Sequence, residues 1–431
     1  MKNYKQFYVW LLIAFLILAF PDYIRAEYAQ IGNETFYQPP TDLTEYNRGD
    51  LIRWEQESNM NDALKAYGTA YRVMYVSKGS SGAKIAVTGM IFIPLNTTDA
   101  LNAIAWGHGT VGVADKCAPS KWPMLYPVYE WPNYGEIILT ILENGYAAVA
   151  PDYEGLGTPG LHPWLHHESA GNTIIDGIRA YRNLATAVGG FTTTNRWGVW
   201  GHSQGAMAAR AANVLANDTA PELTFVGSVE VAGFNNTNIS KDFLEQTLTQ
   251  NTLAAKIVAK VVGDYRLFPF WGYGAQAIRV LDSTFDTTAI LGPLFSETIE
   301  IAPGVSVPLG NLAEGLCFDN WMGMFIGQHP ESDQVRQSDY MSNTNIANWV
   351  NSIITFGGLG MNASGPAYLI FGGIDPLFPL AIRLRYIKAL KRKGILKYKT
   401  KTYWLADHDS VIVKSKNTAM TWLKEQFAAA K

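Results

Sequence analysis

The sequence predicts an α/β protein: a mostly parallel central sheet flanked by helices, interrupted late in the chain by a long insertion. Three observations predict it. Short runs of β-branched and small apolar residues alternate with segments of helical spacing from about residue 100 onward. One of those runs passes directly into Gly201-His-Ser-Gln-Gly205 and a small-residue helix. Hydrophobic residues make up 48 % of the 431-residue chain and charged residues 16 %, a mixture that buries a large core and is not that of a disordered chain.

Taken in order, the N-terminus reads as an export signal. Lys2 and Lys5 precede an apolar run from Phe7 to Phe20 that Pro21 ends, and that run is short for a membrane span. Residues 1–26 are assigned to a signal peptide, with an uncleaved anchor as the alternative, so the expected location is secreted or extracytoplasmic. The turn Lys78-Gly-Ser-Ser-Gly-Ala between Tyr71–Val76 and Ile85–Pro94 reads as a hairpin. Strands are then expected at Ala103–Trp106, Tyr146–Ala150, Trp197–Trp200 and Phe225–Val231, with helices at Ile137–Glu143, Ile174–Ala187 and Ala206–Leu215.

After Gly233 the rhythm breaks. The next clear core strand is Ala367–Phe371, and the interval 234–366 is too long for a loop. It holds one amphipathic pattern (Leu244, Leu248, Leu253, Ile257, Val261) and the aromatic stretch Phe268-Pro-Phe-Trp-Gly-Tyr. It is read as an inserted, mainly helical cap between two parts of one core, 27–233 and 367–431. Alternation resumes with a helix near Pro379–Leu390, a strand at Lys401–Leu405 and a final helix near Val411–Phe427.

The chemistry starts at Ser203. Gly201-His-Ser-Gln-Gly205 matches the G-x-S-x-G nucleophile elbow, in which a strained strand-to-helix turn projects the serine hydroxyl and small flanking residues relieve the crowding. An elbow with this arrangement around it is that of the α/β-hydrolase fold. Serine at its free pKa is a weak nucleophile and needs a histidine base with an orienting carboxylate. In this fold the chain order is serine, acid, histidine. Only His329 and His408 follow Ser203; His329 falls inside the insertion, whereas His408 follows a core strand, so His408 is the expected base. Asp375, just after the strand Ala367–Phe371 and two glycines, is the expected acid. Asp407 and Asp409 are neighbours of His408 in sequence, which does not place either behind its ring, and Asp152 precedes the serine and is read as structural. The oxyanion needs backbone donors. These are expected from the N–H groups of Gln204 and of Thr110 in Gly107-His-Gly-Thr-Val-Gly, with Gly109 as the near alternative; His108 is read as bracing that loop.

Other features bound the function. The formal net charge of −3 gives no reason to expect a nucleic-acid partner. No phosphate-binding glycine loop or dinucleotide fingerprint is present, and His162-Pro-Trp-Leu-His166-His167 lacks the spaced ligands of a metal site, so no cofactor and no metal are expected. The basic run from Lys388 to Lys401 is read as a solvated face. Cys117 and Cys317 are a candidate disulfide in an exported chain; two separate buried thiols are the alternative.

Several motifs together carry a resemblance. They are Gly107-His-Gly-Thr, Asp115-Lys-Cys-Ala-Pro-Ser, Asn144-Gly-Tyr-Ala-Ala-Val-Ala-Pro-Asp-Tyr-Glu-Gly, Asp176-Gly-Ile-Arg-Ala, the elbow, Asp375-Pro and Asp407-His408. Over roughly Tyr71 to Phe427 the chain resembles the secretory lipase family. The resemblance implies a hydrolase core under a helical cap, a triad at Ser203, Asp375 and His408, and a disulfide joining Cys117 to Cys317. The expected activity is hydrolysis of carboxylic esters, as a lipase or esterase, on a small-molecule or lipid ester, with a lipid interface as a candidate partner. A secreted peptidase or acyltransferase using the same triad is the alternative, since all three chemistries pass through an acyl-enzyme. A non-catalytic module on the same fold would be expected to have a broken triad.

Overall fold

The computed structural model describes residues 34–95, 97–121, 132–233, 270–302, 305–317, 344–345, 363–375, 377–378, 380–393 and 397–430. The expected signal peptide 1–26, the Leu244–Val261 pattern and His329 lie outside the described residues.

A nine-stranded mixed sheet organises the chain. Its strands are β1 (Leu51–Glu57), β2 (Gly68–Lys78), β3 (Lys84–Pro94), β4 (Leu101–Gly107), β5 (Ala147–Pro151), β6 (Thr193–His202), β7 (Thr224–Val231), β10 (Ala367–Gly372) and β11 (Tyr398–Tyr403). A separate antiparallel pair, β8 (Thr298–Ala302) and β9 (Val305–Pro308), lies between β7 and β10 in sequence. Spatial order in the large sheet is β1-β2-β3-β5-β4-β6-β7-β10-β11. The pairs β1–β2, β2–β3 and β3–β5 are antiparallel, and every pair from β5 to β11 is parallel. The expected β2–β3 hairpin runs in register from Gly68↔Pro94 to Lys78↔Lys84.

The described helices are α1 (Asp62–Tyr67), α2 (Pro132–Glu143), α3 (His167–Val188), α4 (Gln204–Thr219), α5 (Phe270–Leu281), α6 (Leu380–Lys393) and α7 (Ser410–Ala429). They explain why the parallel strands read as unbroken apolar runs: both sheet faces are covered, so both sets of alternating side chains are buried. Ala103 and Ala105 of β4, with Ala147 and Val149 of β5, share one core with Ile174 and Ile178 of α3 and Ala208 and Ala212 of α4. Ile104, Trp106, Ala148 and Ala150 face the other core, with Ile137 and Ile141 of α2 and Val411 and Leu423 of α7.

Two elements go beyond the sequence reading. Strand β1 is a half-exposed edge strand whose Leu-Ile-Arg-Trp-Glu-Gln-Glu sequence carries little apolar alternation. The β8–β9 hairpin adds strand to an interval read as mainly helical; its described part also contains α5 and short 3-10 turns. The candidate disulfide is formed: Cys117 and Cys317 are bonded, with Cα atoms 5.3 Å apart and 200 positions between them. Beside it Gly112 and Cys317 form an isolated antiparallel bridge, which ties the segment after β9 to the loop after β4.

Candidate active site

Strands β4, β6, β7, β10 and β11 run parallel, so their C-terminal ends share one edge of the sheet, where open α/β sheets bind ligands. Ser203 stands at that edge between the end of β6 and the start of α4. It adopts φ 56° and ψ −118°, a left-handed conformation costly for a non-glycine residue, and its N–H donates to the Val231 carbonyl at 2.9 Å. The turn is closed by backbone crowding. A Cβ on Gly201 would lie 1.9 Å from the Gly205 carbonyl oxygen, and one on Gly205 would lie 1.9 Å from the Gly107 carbonyl oxygen. Both glycines are therefore demanded by packing, and the second brings the start of α4 against the loop that leaves β4.

The structure brings Ser203, His408 and Asp375 into one hydrogen-bonded chain. Ser203 Oγ lies 2.9 Å from His408 Nε2, and His408 Nδ1 lies 3.0 Å from Asp375 Oδ2. The other carboxylate oxygen of Asp375 accepts the N–H groups of Leu377 (2.8 Å) and Phe378 (3.0 Å), which fixes the carboxylate plane. Asp375 and His408 are buried, while Ser203 is partly open. Two of the rival acids are occupied elsewhere, while Asp409 lies beside His408 and His202. Asp407 accepts the Ser410 N–H at 2.8 Å at the start of α7, and Asp152 accepts the Ser120 N–H at 2.8 Å and the Thr88 hydroxyl at 2.7 Å. Burial pushes the Asp152 carboxyl up to about 6, against those hydrogen bonds.

Electrostatics separate His408 from the other histidines. Burial alone lowers its pKa, but the charge and hydrogen bond of Asp375, followed by the charges of Asp409 and Asp407, outweigh it and leave the pKa raised above 6.5. Burial instead drives His108 and His162 down to about 4 and His167 and His202 down to about 3. Among the described residues His408 is thus the one histidine poised to take up a proton near neutral pH.

Four site neighbours carry no sequence signal for the roles they take. His202, the variable residue of the elbow, packs its ring 4.9 Å from that of His408 and donates from Nε2 to the His408 carbonyl at 2.8 Å. Phe378 covers His408 with ring centroids 5.4 Å apart. His162 donates from Nδ1 to the Glu154 carbonyl (2.7 Å), leaving Nε2 to accept the Gln204 side-chain N–H (2.9 Å). Trp164 donates its indole N–H to Thr110 Oγ1 at 3.1 Å and stacks on Phe270 of α5 with ring centroids 5.5 Å apart. The two residues expected to supply oxyanion donors are therefore each gripped by a ring from one short segment. In sequence His162-Pro-Trp carries no sign of this, because nothing local reveals that its rings reach Gln204 and Thr110. His108 braces its loop, its ring nitrogens facing the carbonyl oxygens of Gly109 (2.7 Å) and Asp152 (3.1 Å). Among the described residues, the group with metal-ligand spacing is His202, His408 and Asp409, and both ring nitrogens of His408 are engaged by Ser203 and Asp375.

A hydroxyl within reach of a buried base, itself held by a carboxylate, is an arrangement that can deprotonate the hydroxyl as it attacks a carbonyl carbon. Known proteins bear on the same region. A family model described as secretory lipase matches residues 135–267. Lipase A of Arthroderma benhamiae is 31 % identical over 214 residues, which are 46 % of this chain and 43 % of that protein. The secreted triacylglycerol lipase LIP1 of Malassezia furfur is 26 % identical over 224 residues, 49 % of this chain and 43 % of that protein. The chain thus spans less than half the length of these relatives. The solved structure of Candida antarctica lipase A in its closed state superposes with a TM-score of 0.68 at 18 % identity, covering 94 % of this chain and 88 % of that one. Through the matched segment the chain is similar to the secretory lipases, and its fold is shared with Candida antarctica lipase A.

Proposed function

We propose that this protein is an exported serine hydrolase that cleaves carboxylic esters, as a lipase or esterase. The observation that carries the reading is the Ser203–His408–Asp375 hydrogen-bond chain on a left-handed elbow. His408 Nε2 takes the Ser203 proton as Oγ bonds to the ester carbonyl carbon. Asp375 holds Nδ1–H toward itself, so that Nε2 carries the lone pair, and stabilises the imidazolium that forms. The N–H groups of Gln204 and Thr110 receive the oxyanion. Collapse of the tetrahedral intermediate expels the alcohol, which leaves with the proton from His408. Water, deprotonated by the same ring, then releases the acid. The interval 234–366 acts as the cap over the acyl chain; α5, packed on Trp164, is its described contact with the site. Export, through the segment 1–26, accords with the disulfide and with the secreted relative.

Fluorophosphonate labelling and hydrolysis of short- and long-chain p-nitrophenyl esters test the reading against Ser203→Ala. Labelling is expected to vanish and the rate to fall by up to on the order of 10⁶. A labelled or active Ser203→Ala variant would mean that the nucleophile lies elsewhere. Faster turnover of peptide amides, or transfer to an alcohol acceptor in preference to water, would reassign the same triad to a peptidase or an acyltransferase.

A further inference from the structure

Nine large hydrophobic side chains are exposed among the described residues, and five of them, Ile374, Leu380, Leu384, Trp404 and Leu405, fall between residues 374 and 405. Trp404 is 63 % exposed and Leu405 85 %. Their backbones are contiguous. The Gly373 N–H donates to the Tyr403 carbonyl (2.7 Å), the Ile374 N–H donates to the Ala406 carbonyl (3.0 Å), and Arg383 of α6 donates to the Gly373 carbonyl (3.2 Å). On α6 the buried side is Arg383, Tyr386 and Leu390, while Leu380, Leu384, Lys388 and Lys391 are exposed. The outer face of a helix on a globular protein is ordinarily polar; here its first turns are leucine and its later turns lysine.

Charge selects the occupant of this face. From residue 376 to 406 the sequence carries nine lysines and arginines and no acid, in a chain whose net charge is −3. Of these, Lys388 and Lys391 are exposed on α6, one and two turns beyond Leu384, whereas Lys399 and Lys401 lie over the rings of Tyr368 and Tyr403 toward α7. Exposed leucine and tryptophan flanked by lysines match the two layers of a bilayer surface, acyl boundary and anionic headgroup. The patch also lies at the sheet edge that carries Asp375 and His408. We propose that the face formed by Ile374, Leu380, Leu384, Trp404 and Leu405, with its lysine rim, docks the protein onto an anionic lipid bilayer.

Flotation of the full chain with phosphatidylcholine vesicles, with and without about 30 % phosphatidylglycerol, tests this without recourse to hydrolysis. Binding is expected only to the anionic vesicles and is expected to weaken in high salt. Lys388→Glu/Lys391→Glu and Trp404→Ser/Leu405→Ser should each lower partitioning by roughly tenfold or more. Both pairs are exposed, so folding is retained, and fluorophosphonate labelling is expected to match wild type; a loss of labelling in wild type would instead strike the catalytic reading. Equal binding to neutral vesicles, or variants that bind like wild type, would overturn the proposal. So would a vesicle-free dimer abolished by Trp404→Ser/Leu405→Ser, which would make the face a contact between copies.

Discussion

A methyl group at residue 205 probes the join between the elbow and the oxyanion loop. In Gly205→Ala the new Cβ would meet the Gly107 carbonyl oxygen at 1.9 Å, the Gly107 carbonyl carbon at 2.3 Å and the His108 oxygen at 2.6 Å. The nearest of these is roughly 1.5 Å short of ordinary van der Waals contact. All three are backbone atoms, so no side chain can swing aside; α4 and the loop after β4 must separate. Overpacking costs about 1–3 kcal/mol where neighbours can relax, and a backbone-on-backbone clash belongs at or above the top of that range. The separation also moves Gln204 away from Thr110. Losing one oxyanion donor costs about 10²–10³ in kcat, so a fall of that order is expected together with a drop in Tm of several degrees. Gly135→Ala is the control: it lies in α2, where an added Cβ would have nothing within 4 Å, and the change is expected to stabilise by about 0.5–1 kcal/mol with unchanged turnover. Thermal melts and ester turnover report both. A Gly205→Ala protein with wild-type Tm and kcat would refute the argument that this glycine is required by contact.

Further outcomes follow from the same geometry. Burial lowers and the Asp375, Asp409 and Asp407 charges more than restore the His408 pKa, so kcat/KM should fall as pH drops through a midpoint above 6.5, and Asp375→Asn should move that limb to lower pH while cutting kcat by about 10⁴; an acid limb at or below 6.5 in wild type would contradict the raised pKa. Stability runs the other way: the charged His408–Asp375 pair contributes fully below the unfolded value of 6.5 and its contribution is lost as pH rises through the raised folded value, which urea titrations at pH 5.5 and 8.5 measure. Trp164→Phe keeps the stack on Phe270 and removes the N–H to Thr110. Lower kcat at unchanged KM is expected, and a Trp164→Phe/Thr110→Val double variant no worse than the poorer single; strictly additive losses would exclude coupling through that bond. Removing the Cys117–Cys317 link by paired alanines frees a closed loop of about 200 residues, for which chain entropy gives about 5 kcal/mol and engineered cases usually about 2–4; denaturant melts unchanged within 0.5 kcal/mol (about the additivity error) would show that the loop is held without it.

Local patterns determined a good deal by themselves. Unbroken apolar runs located the parallel strands because both sheet faces are covered, and the small residues around Ser203 announced the elbow because its backbone crowding is local. Chain order then selected the acid and histidine that the structure brings to the serine. Other features required the folded chain. Edge strand β1 is half exposed and carries no clean alternation, and among the described residues the β8–β9 hairpin pairs only with itself, so neither leaves a strong periodic signal. Ser203 and His408 are 205 positions apart, and the cysteines 200; such distances close only through the sheet. That Asp375 rather than Asp407 faces the ring is a matter of register between β10 and β11, where Gly372 pairs with Tyr403. The grip of His162 on Gln204 and of Trp164 on Thr110 depends on β4, β5 and β6 ending side by side, because residue types and spacing encode which side chains are reactive but only tertiary contacts fix which of them meet.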